Sequence, residues 1–560
     1  MKRVSVKGWK QNRGRLDPGP FFYIYPGDWN GPEPMSARIA IHTLGLLMII
    51  LGALMLVPAA VSVIYAEPSG VAAFLLSSML TLAAGYAMRR LGCSGDVEHS
   101  DAFLIVTLGW LLAALFGALP FVLLGMGFVD SLFESMSGFT TTGATILTDY
   151  DSKGYWIVNP DAASVCVASG VIDALSRLFA GDSATIAALI DGEIGDRTYL
   201  GLLFWRSFTQ FLGGLGIILL FIAILPQLGV AGRQLYYVDS SRLTKETITP
   251  RVKDTARIYW GIYLLMVGLE TFMLSLAGMP VYDSLLTAFT TIATGGFSPQ
   301  ASGIVAYSSL PIEAIAMLFM LLGATSFNLH YNFLYRGSLS AYARDSEFRF
   351  FLYILASSIV LILVAGGIEG DVLHRLRIVS FQVVSTMTTT GFTNNFSYDT
   401  WPVASGMVLL VLMLVGGCVG STGGAIKVAR ILLILKYGKR ELIEMIHPRA
   451  VKPIKMTKAT IQEDIIRSIL FFALLYLIVF FCASLAMALT ESGNPGFDLI
   501  SAVSAVATCM GGVGPGLGEV AFDFSHVTPV GKIIGVICMY VGRMEILPVL
   551  VLFLPGFWDK

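Results

Sequence analysis

Residues 131–145 read Ser-Leu-Phe-Glu-Ser-Met-Ser-Gly-Phe-Thr-Thr-Thr-Gly-Ala-Thr, and three later stretches repeat the pattern. Residues 283–298 read Asp-Ser-Leu-Leu-Thr-Ala-Phe-Thr-Thr-Ile-Ala-Thr-Gly-Gly-Phe-Ser. Residues 380–393 read Ser-Phe-Gln-Val-Val-Ser-Thr-Met-Thr-Thr-Thr-Gly-Phe-Thr. Residues 498–515 read Asp-Leu-Ile-Ser-Ala-Val-Ser-Ala-Val-Ala-Thr-Cys-Met-Gly-Gly-Val-Gly-Pro. Each is an apolar stretch shorter than the roughly 20 residues that cross a bilayer, and each ends in a Thr/Gly run. One such segment reads as an ordinary turn. Four on the same side of a membrane read as an internal repeat, which outranks local signals when architecture is assigned.

The surrounding composition sets the medium. Of 560 residues, 55% are hydrophobic and 13% charged, against about 25% charged in an average soluble domain. The formal net charge is −1, so no polyanionic partner such as nucleic acid is implied. The six cysteines (Cys93, Cys166, Cys418, Cys482, Cys509, Cys538) have no CxxC spacing, which argues against a disulfide framework or a zinc site. A long basic start (Lys2, Arg3, Lys7, Lys10, Arg13, Arg15, Arg38) precedes the first apolar run. That run is too long for a cleaved signal and reads as a retained helix.

Ten stretches are long and apolar enough to span: 39–66, 70–90, 101–125, 199–226, 257–278, 308–335, 349–367, 403–436, 465–490 and 530–556. An even number puts both termini on one side. Lys and Arg choose it. Seven lie in 1–38, two at Arg89 and Arg90, six in 227–257, three in 336–349 and eight in 436–467. The opposite loops hold three in 126–198, two in 368–402 and none in 279–307 or 491–529. The positive-inside rule then makes both termini cytoplasmic. The expected fold is an all-α polytopic membrane protein: two extra spans, then four pseudo-symmetric span–short helix–span repeats around one pore. The divisions are 1–38, a cytoplasmic segment; 39–98, the two extra spans; then repeats at 99–228, 229–336, 337–440 and 441–560. An outer-surface insertion occupies 150–198.

The repeat has a physical meaning. A half-helix inside a membrane must end in protein or water, and its C-terminus carries about half a negative charge. Four such ends on one axis favour a cation. Glycine lets the backbone aim carbonyls at that axis, where they replace an ion's hydration shell. Mid-span glycines carry a second message. As one helix, 403–436 would reach about 51 Å, well beyond the roughly 30 Å core. Gly416, Gly417, Gly420, Gly423 and Gly424 sit in its middle with Ser421 and Thr422, so a break is expected; a glycine-lined packing face is the alternative. The Gly512–Gly518 run has no preceding strand and lies on the outer side, which excludes a phosphate-binding loop.

With their connecting segments, the four loops resemble the TrkH/TrkG branch of the Trk/Ktr/HKT potassium transporter superfamily, from about residue 39 to 556. The resemblance rests on Phe139-Thr-Thr-Thr-Gly-Ala-Thr, Trp205-Arg-Ser-Phe, Gly213-Gly-Leu-Gly-Ile with Leu225-Pro226, and Ala293-Thr-Gly-Gly-Phe-Ser. It continues in Gly417-Cys-Val-Gly-Ser-Thr-Gly-Gly-Ala-Ile-Lys427 and Gly542-Arg-Met-Glu-Ile. It implies potassium uptake across the bacterial inner membrane. It also implies a filter that binds K⁺, the transported ion, through Thr141, Thr142, Gly143, Thr294, Gly295, Gly296, Thr389, Thr390, Gly391, Gly512, Val513 and Gly514. It implies a gate below the filter made of Gly416, Gly417, Gly420, Gly423, Gly424, Lys427 and Arg543. Its members imply a homodimer in membrane lipid and a cytoplasmic TrkA-type nucleotide-binding regulatory subunit, with no organic cofactor in this chain. Glycine at the key filter position of every repeat goes with potassium in this superfamily. The fourth loop departs from the family, which commonly has Asn before the Val/Ile-Gly pair. That keeps a sodium-permeable or cation-coupled symporter (K⁺/H⁺ or K⁺/Na⁺) as the alternative.

Several charges carry two readings. Arg543, within the last span, is either an electrostatic barrier to cations or a structural partner of Glu545 or Glu313. Lys427 either sets the glycine loop or anchors a span at the inner interface. Asp283, Asp498 and Glu134 either draw cations to the mouth or stabilise helix starts. Arg206 reads as structural. No clustered His, Asp or Glu at helical spacing points to a membrane enzyme, and a non-conducting scaffold or sensor would fold without ion flux.

Overall fold

The computed structural model describes residues 37–95, 97, 99–158, 198–216, 252–395, 398–448, 452–457 and 459–558. The expected N-terminal segment up to residue 36, most of the 150–198 insertion, the end of the 199–226 span and the inner loop up to 251 lie outside them. The described residues are mainly helical, with one small hairpin pairing Lys455–Met456 with Ala459–Thr460.

Six helices are long and apolar enough to cross a membrane: Ala37–Ile64, Pro68–Leu91, Asp101–Leu123, Asp254–Leu276, Ser346–Ala365 and Glu463–Thr490. They match six of the ten expected spans within a few residues. The first two cross where glycines remove the side chains between them. A methyl group on Gly45 would lie 2.7 Å from the Gly85 carbonyl oxygen, and one on Gly85 would lie 2.8 Å from that of Gly45. Ser78 donates across the same seam to Gly52 O at 2.7 Å, a small-residue contact suited to lipid, where apolar burial alone does not drive association.

Two of the other expected spans are interrupted. The 308–335 stretch is two helices, Leu310–Gly323 and Phe327–Arg336, bent by 99°. Backbone groups at the bend bond outward: Cys418 N donates to Ala324 O, and Phe327 N to Gly420 O, both at 2.9 Å. The 530–556 stretch stops as the helix Pro529–Arg543 and resumes only as Leu547–Val551. Glu545 and Ile546 between them have φ of 56° and 60°, and Pro548 has no N–H to continue the ladder. The 403–436 stretch breaks as its glycines require, into Val403–Val415 and Val428–Ile446. Of 199–226, the described part is the helix Leu200–Gly214.

Four further helices are too short to span and are well buried over their C-terminal halves: Phe128–Phe139, Val281–Ile292, Val372–Met387 and Leu499–Gly511. Asp371 and Asp498 cap two of them, accepting from His374 N and Ser501 N, which satisfies otherwise orphaned donors. Each short helix packs between long ones and runs into a Thr/Gly loop at its buried end.

Candidate functional site

The four loops share one backbone design. Thr141, Thr294, Thr389 and Gly512 follow the short helices with φ of 54°, 53°, 60° and 70°. Two residues later Gly143, Gly296, Gly391 and Gly514 are again positive, at 82°, 80°, 82° and 100°. In the first three, the helix end closes as a Schellman motif. Thr141 N, Thr294 N and Thr389 N bond three residues back, to Gly138, Thr291 and Thr386. Thr142 N, Gly295 N and Thr390 N bond five back, to Ser137, Thr290 and Ser385. In the fourth, Val513 N bonds five back to Thr508 O. A β-branched residue at positive φ is strained, and such strain clusters at functional sites. Here it recurs at three matched positions. At the fourth, glycine meets the same requirement without a side chain, which is the physical content of the fourth loop's departure.

The loops meet in a closed circuit. A methyl group on Gly143 would fall 2.1 Å from the carbonyl oxygen of Gly295, one on Gly296 2.0 Å from that of Thr390, and one on Gly391 1.8 Å from that of Val513. One on Gly514 would fall 2.8 Å from Thr142 O, returning to the first loop. Each glycine therefore abuts the next loop's backbone, and no other residue fits there. All twelve residues expected at the filter lie in this circuit.

Of the supports behind the loops, Arg206 is expected from the sequence to be structural, whereas Gln210 is not singled out there. Thr140 and Thr142 hydroxyls pair at 2.9 Å, and Thr388 and Thr390 hydroxyls at 2.8 Å. The second loop has Ala293 and Gly295 at these places. Gln210, from the helix Leu200–Gly214, substitutes: Nε2 donates to Gly295 O at 2.7 Å, and Oε1 accepts from Phe297 N at 3.1 Å. The pattern Trp205-Arg-Ser-Phe-Thr-Gln placed Gln210 two residues past a quoted motif, the one signal that could have found it. Glu134 and Arg206 form a fully buried ion pair at 2.6 Å. Arg206 also donates to Thr145 Oγ1 at 3.1 Å and lies over the Phe297 ring at 4.1 Å. Ile146 N donates to Glu134 Oε2 at 3.2 Å. This pair thus fixes the chain leaving the first and second loops.

That settles several double readings. Glu134 is buried and paired, so it does not draw cations at a mouth. Asp283 is buried between Tyr155 and Tyr307, which donate to it at 3.2 and 2.7 Å. Burial and the Asp283 charge push the Tyr155 phenol up to about 12, so it remains a donor at neutral pH. Asp498 is a helix cap. Lys427 is buried, with its Nζ donating to Gly423 O, rather than anchored at an interface. Glu313 pairs with Arg377, and Glu545 with Arg430.

The stretch between Val415 and Val428 is an irregular loop against one side of the circuit. Thr294 donates to Thr422 Oγ1 at 3.2 Å, and Thr422 donates to Ile292 O at 2.9 Å. Gly424 N donates to Thr389 Oγ1 at 2.9 Å, and a methyl group on Gly424 would lie 2.3 Å from Gly511 O. Arg543 supplies the remaining contact, donating to Thr141 Oγ1 at 3.3 Å and to Thr422 O at 3.1 Å. It also donates to Gly213 O and Gly214 O and faces the Trp110 ring at 5.4 Å. Thr422, Gly424 and Arg543 together thus touch all four loops. Gly416, Gly417 and Gly420 serve differently: they fold the stretch back on itself or dock it to the 99° bend.

Comparison with known proteins identifies relatives along most of the chain. A model of the TrkH family, described as cation transport protein, matches residues 71–560. The chain is 36% identical over 537 residues to the Trk system potassium uptake protein TrkH of Salmonella typhimurium, covering 94% of this chain and 100% of that one. It is 31% identical over 529 residues to the Trk system potassium uptake protein TrkG of Escherichia coli, covering 93% and 98%. The crystal structure of the potassium transporter TrkH from Vibrio parahaemolyticus superposes with a TM-score of 0.75 at 32% identity, covering 94% of this chain and all of that one.

Proposed function

The chain belongs to the TrkH family of cation transport proteins, and we propose that it takes up potassium across the bacterial inner membrane through a pore at the centre of the four-loop circuit. The observation that carries this reading is the circuit itself: four helix ends, alternately left-handed backbone after each, and glycine wherever one loop abuts the next. Alternating the sign of φ turns successive carbonyls to one side of the chain. Carbonyls so turned by Thr141, Thr142 and Gly143 and their counterparts (Thr294, Gly295, Gly296; Thr389, Thr390, Gly391; Gly512, Val513, Gly514) would coordinate a dehydrated K⁺. Negative helix C-termini behind them favour the cation. On this reading the four units 99–228, 229–336, 337–440 and 441–560 surround the pore, and 39–98 pack outside it.

The loop 416–427 and Arg543 form the gate. Residues that reach all four loops from one side block an axis through their centre, and a fixed guanidinium there adds an electrostatic barrier. Both termini face the cytoplasm. On the same reading the chain works as a homodimer with a nucleotide-binding TrkA-type subunit, for which the basic inner segments 227–257 and 436–467 would offer docking surfaces. The test is ion flux into proteoliposomes containing purified protein. Potassium and rubidium flux well above sodium flux, with selectivity lost in Gly143→Ser, is the expected result. Equal sodium flux in the unaltered protein would replace this reading with a sodium-permeable or cation-coupled transporter.

A further inference from the structure

The break between Val415 and Val428 is closed by a residue from neither helix. Glu347 stands in the first turn of Ser346–Ala365 and is 6% exposed. Its Oε1 accepts from Val419 N at 2.6 Å and from Ala429 N at 3.2 Å. Val419 lies early in the loop and Ala429 in the first turn of the helix that follows it. One carboxylate oxygen therefore holds two backbone donors ten positions apart, which in extended chain could separate by about 33 Å. Among the described ion pairs none includes Glu347. A buried carboxylate costs free energy unless hydrogen bonds compensate it. Here the compensation comes from backbone N–H groups, one of them at a helix N-terminus, where a negative charge is favoured. Other tethers of the loop include the backbone bond from Val428 N to Gly417 O at 3.0 Å, the Lys427 ammonium on Gly423 O, and the contacts to Ile292, Thr294, Thr389 and Arg543 described above.

From this geometry we infer that Glu347 is a positioning residue for the gate: a latch that pins both ends of the glycine loop and so holds it across the pore. This rests on the gate reading above. For the loop to leave the axis by straightening into its flanking helices, Val419 and Ala429 must move apart, and they cannot do so while sharing one oxygen. Nearby Cys418, 1% exposed, reports on the same movement.

The experiment measures two quantities on full-length protein in proteoliposomes without any regulatory partner. One is rubidium flux. The other is the rate at which N-ethylmaleimide labels Cys418, with the other five cysteines replaced by serine. Glu347→Ala is expected to raise both by about tenfold, the scale of one lost charged hydrogen bond. Glu347→Gln keeps an acceptor at the same reach and is expected to stay within about threefold of the unaltered protein. Arg543→Ala tests the gate independently and is expected to raise flux. If Glu347→Ala leaves flux and labelling unchanged while Arg543→Ala raises flux, the latch is wrong and the gate stands. If neither variant raises flux, the loop is not a gate and the latch falls with it. Should Glu347→Ala fail to fold, Glu347→Asp withdraws the oxygen by one methylene while keeping the charge, and the same increases are expected of it.

Discussion

Lys532 reaches Asp130 across 402 positions of sequence, Nζ to Oδ1 2.7 Å. Lys532 lies on the helix Pro529–Arg543 and Asp130 in the first turn of the first short helix, so the pair joins two distant parts of the chain. Arg377 and Glu313 make a similar link between the third short helix and the helix Leu310–Gly323, with Nε donating to Oε2 at 2.8 Å. Asp130 is 36% exposed, and partly exposed pairs contribute little. Lys532→Met is therefore expected to cost no more than about 1 kcal/mol, seen as a small drop in the thermal midpoint in detergent. Exchanging the two residues should recover part of it. A large loss in the single variant, unrelieved by the exchange, would show that packing and not the pair matters here.

The loop circuit makes a contrast between two glycines. At Gly143 an added methyl meets a neighbouring carbonyl oxygen at 2.1 Å. At Gly512 the nearest atom is Thr141 O at 3.9 Å, and asparagine tolerates positive φ. Gly143→Ala should abolish potassium flux or sharply reduce its selectivity over sodium. Gly512→Asn should leave the fold intact and flux within a few-fold. Equal damage from both would mean that the circuit does not line the path of the ion.

Gln210 replaces in the second loop what a threonine pair supplies in the first and third. Gln210→Met removes the donor to Gly295 O and the acceptor for Phe297 N while keeping much of the volume. Each buried polar group left without a partner costs about 1–3 kcal/mol. The expected outcome is potassium-to-sodium discrimination reduced by about tenfold or more with the protein still monodisperse. Unchanged selectivity would make Gln210 a packing residue only.

Much of this architecture was legible in the sequence because the Thr/Gly runs encode backbone geometry directly. Positions 143, 296, 391 and 514 are glycine because each has positive φ and abuts the next loop, and the eye finds them by repetition. The long break at 416–427 was legible because five glycines in a membrane segment oppose a helix. The 99° bend at 324–326 was not, since Ala-Thr-Ser is compatible with a helix and the bend is held by bonds to Cys418 and Gly420, about a hundred residues away. The stop at Arg543 was hidden for a related reason: hydropathy counts apolar residues and ignores the left-handed Glu545 and Ile546. Glu134, Arg206, Gln210 and Glu347 owe their roles to partners on other helices, and composition or spacing does not report those.

The buried pair of Glu134 and Arg206 should behave unlike Lys532 and Asp130. Both side chains are nearly inaccessible, and together they bond Thr145, Ile146 and Ser298. Removing one partner leaves an uncompensated buried charge, which costs about 3–5 kcal/mol. Arg206→Met is expected to lower the thermal midpoint far more than Lys532→Met and to reduce the yield of folded protein. Glu134→Gln with Arg206→Met, which removes both charges, should be less damaging than Arg206→Met alone. The reverse order would argue that Arg206 acts through shape alone.

Three strained threonines each give a hydroxyl to the parts read as a gate: Thr141 to Arg543, Thr294 to Thr422, and Thr389 to Gly424 N. Their left-handed backbone serves the loop circuit, and their side chains reach the other way, so one residue type does two tasks. Valine keeps the branch and the volume and loses only the hydroxyl. A single Thr→Val change removes one of several tethers and is expected to raise partner-independent rubidium flux only a few-fold. The three changes combined should raise it by about tenfold or more, each lost bond counting for about 1 kcal/mol. Thr→Ser at the same positions retains the hydroxyl and should leave flux low. If the triple valine variant instead loses potassium selectivity without any rise in resting flux, these hydroxyls support the ion path itself, and the closed gate is held without them.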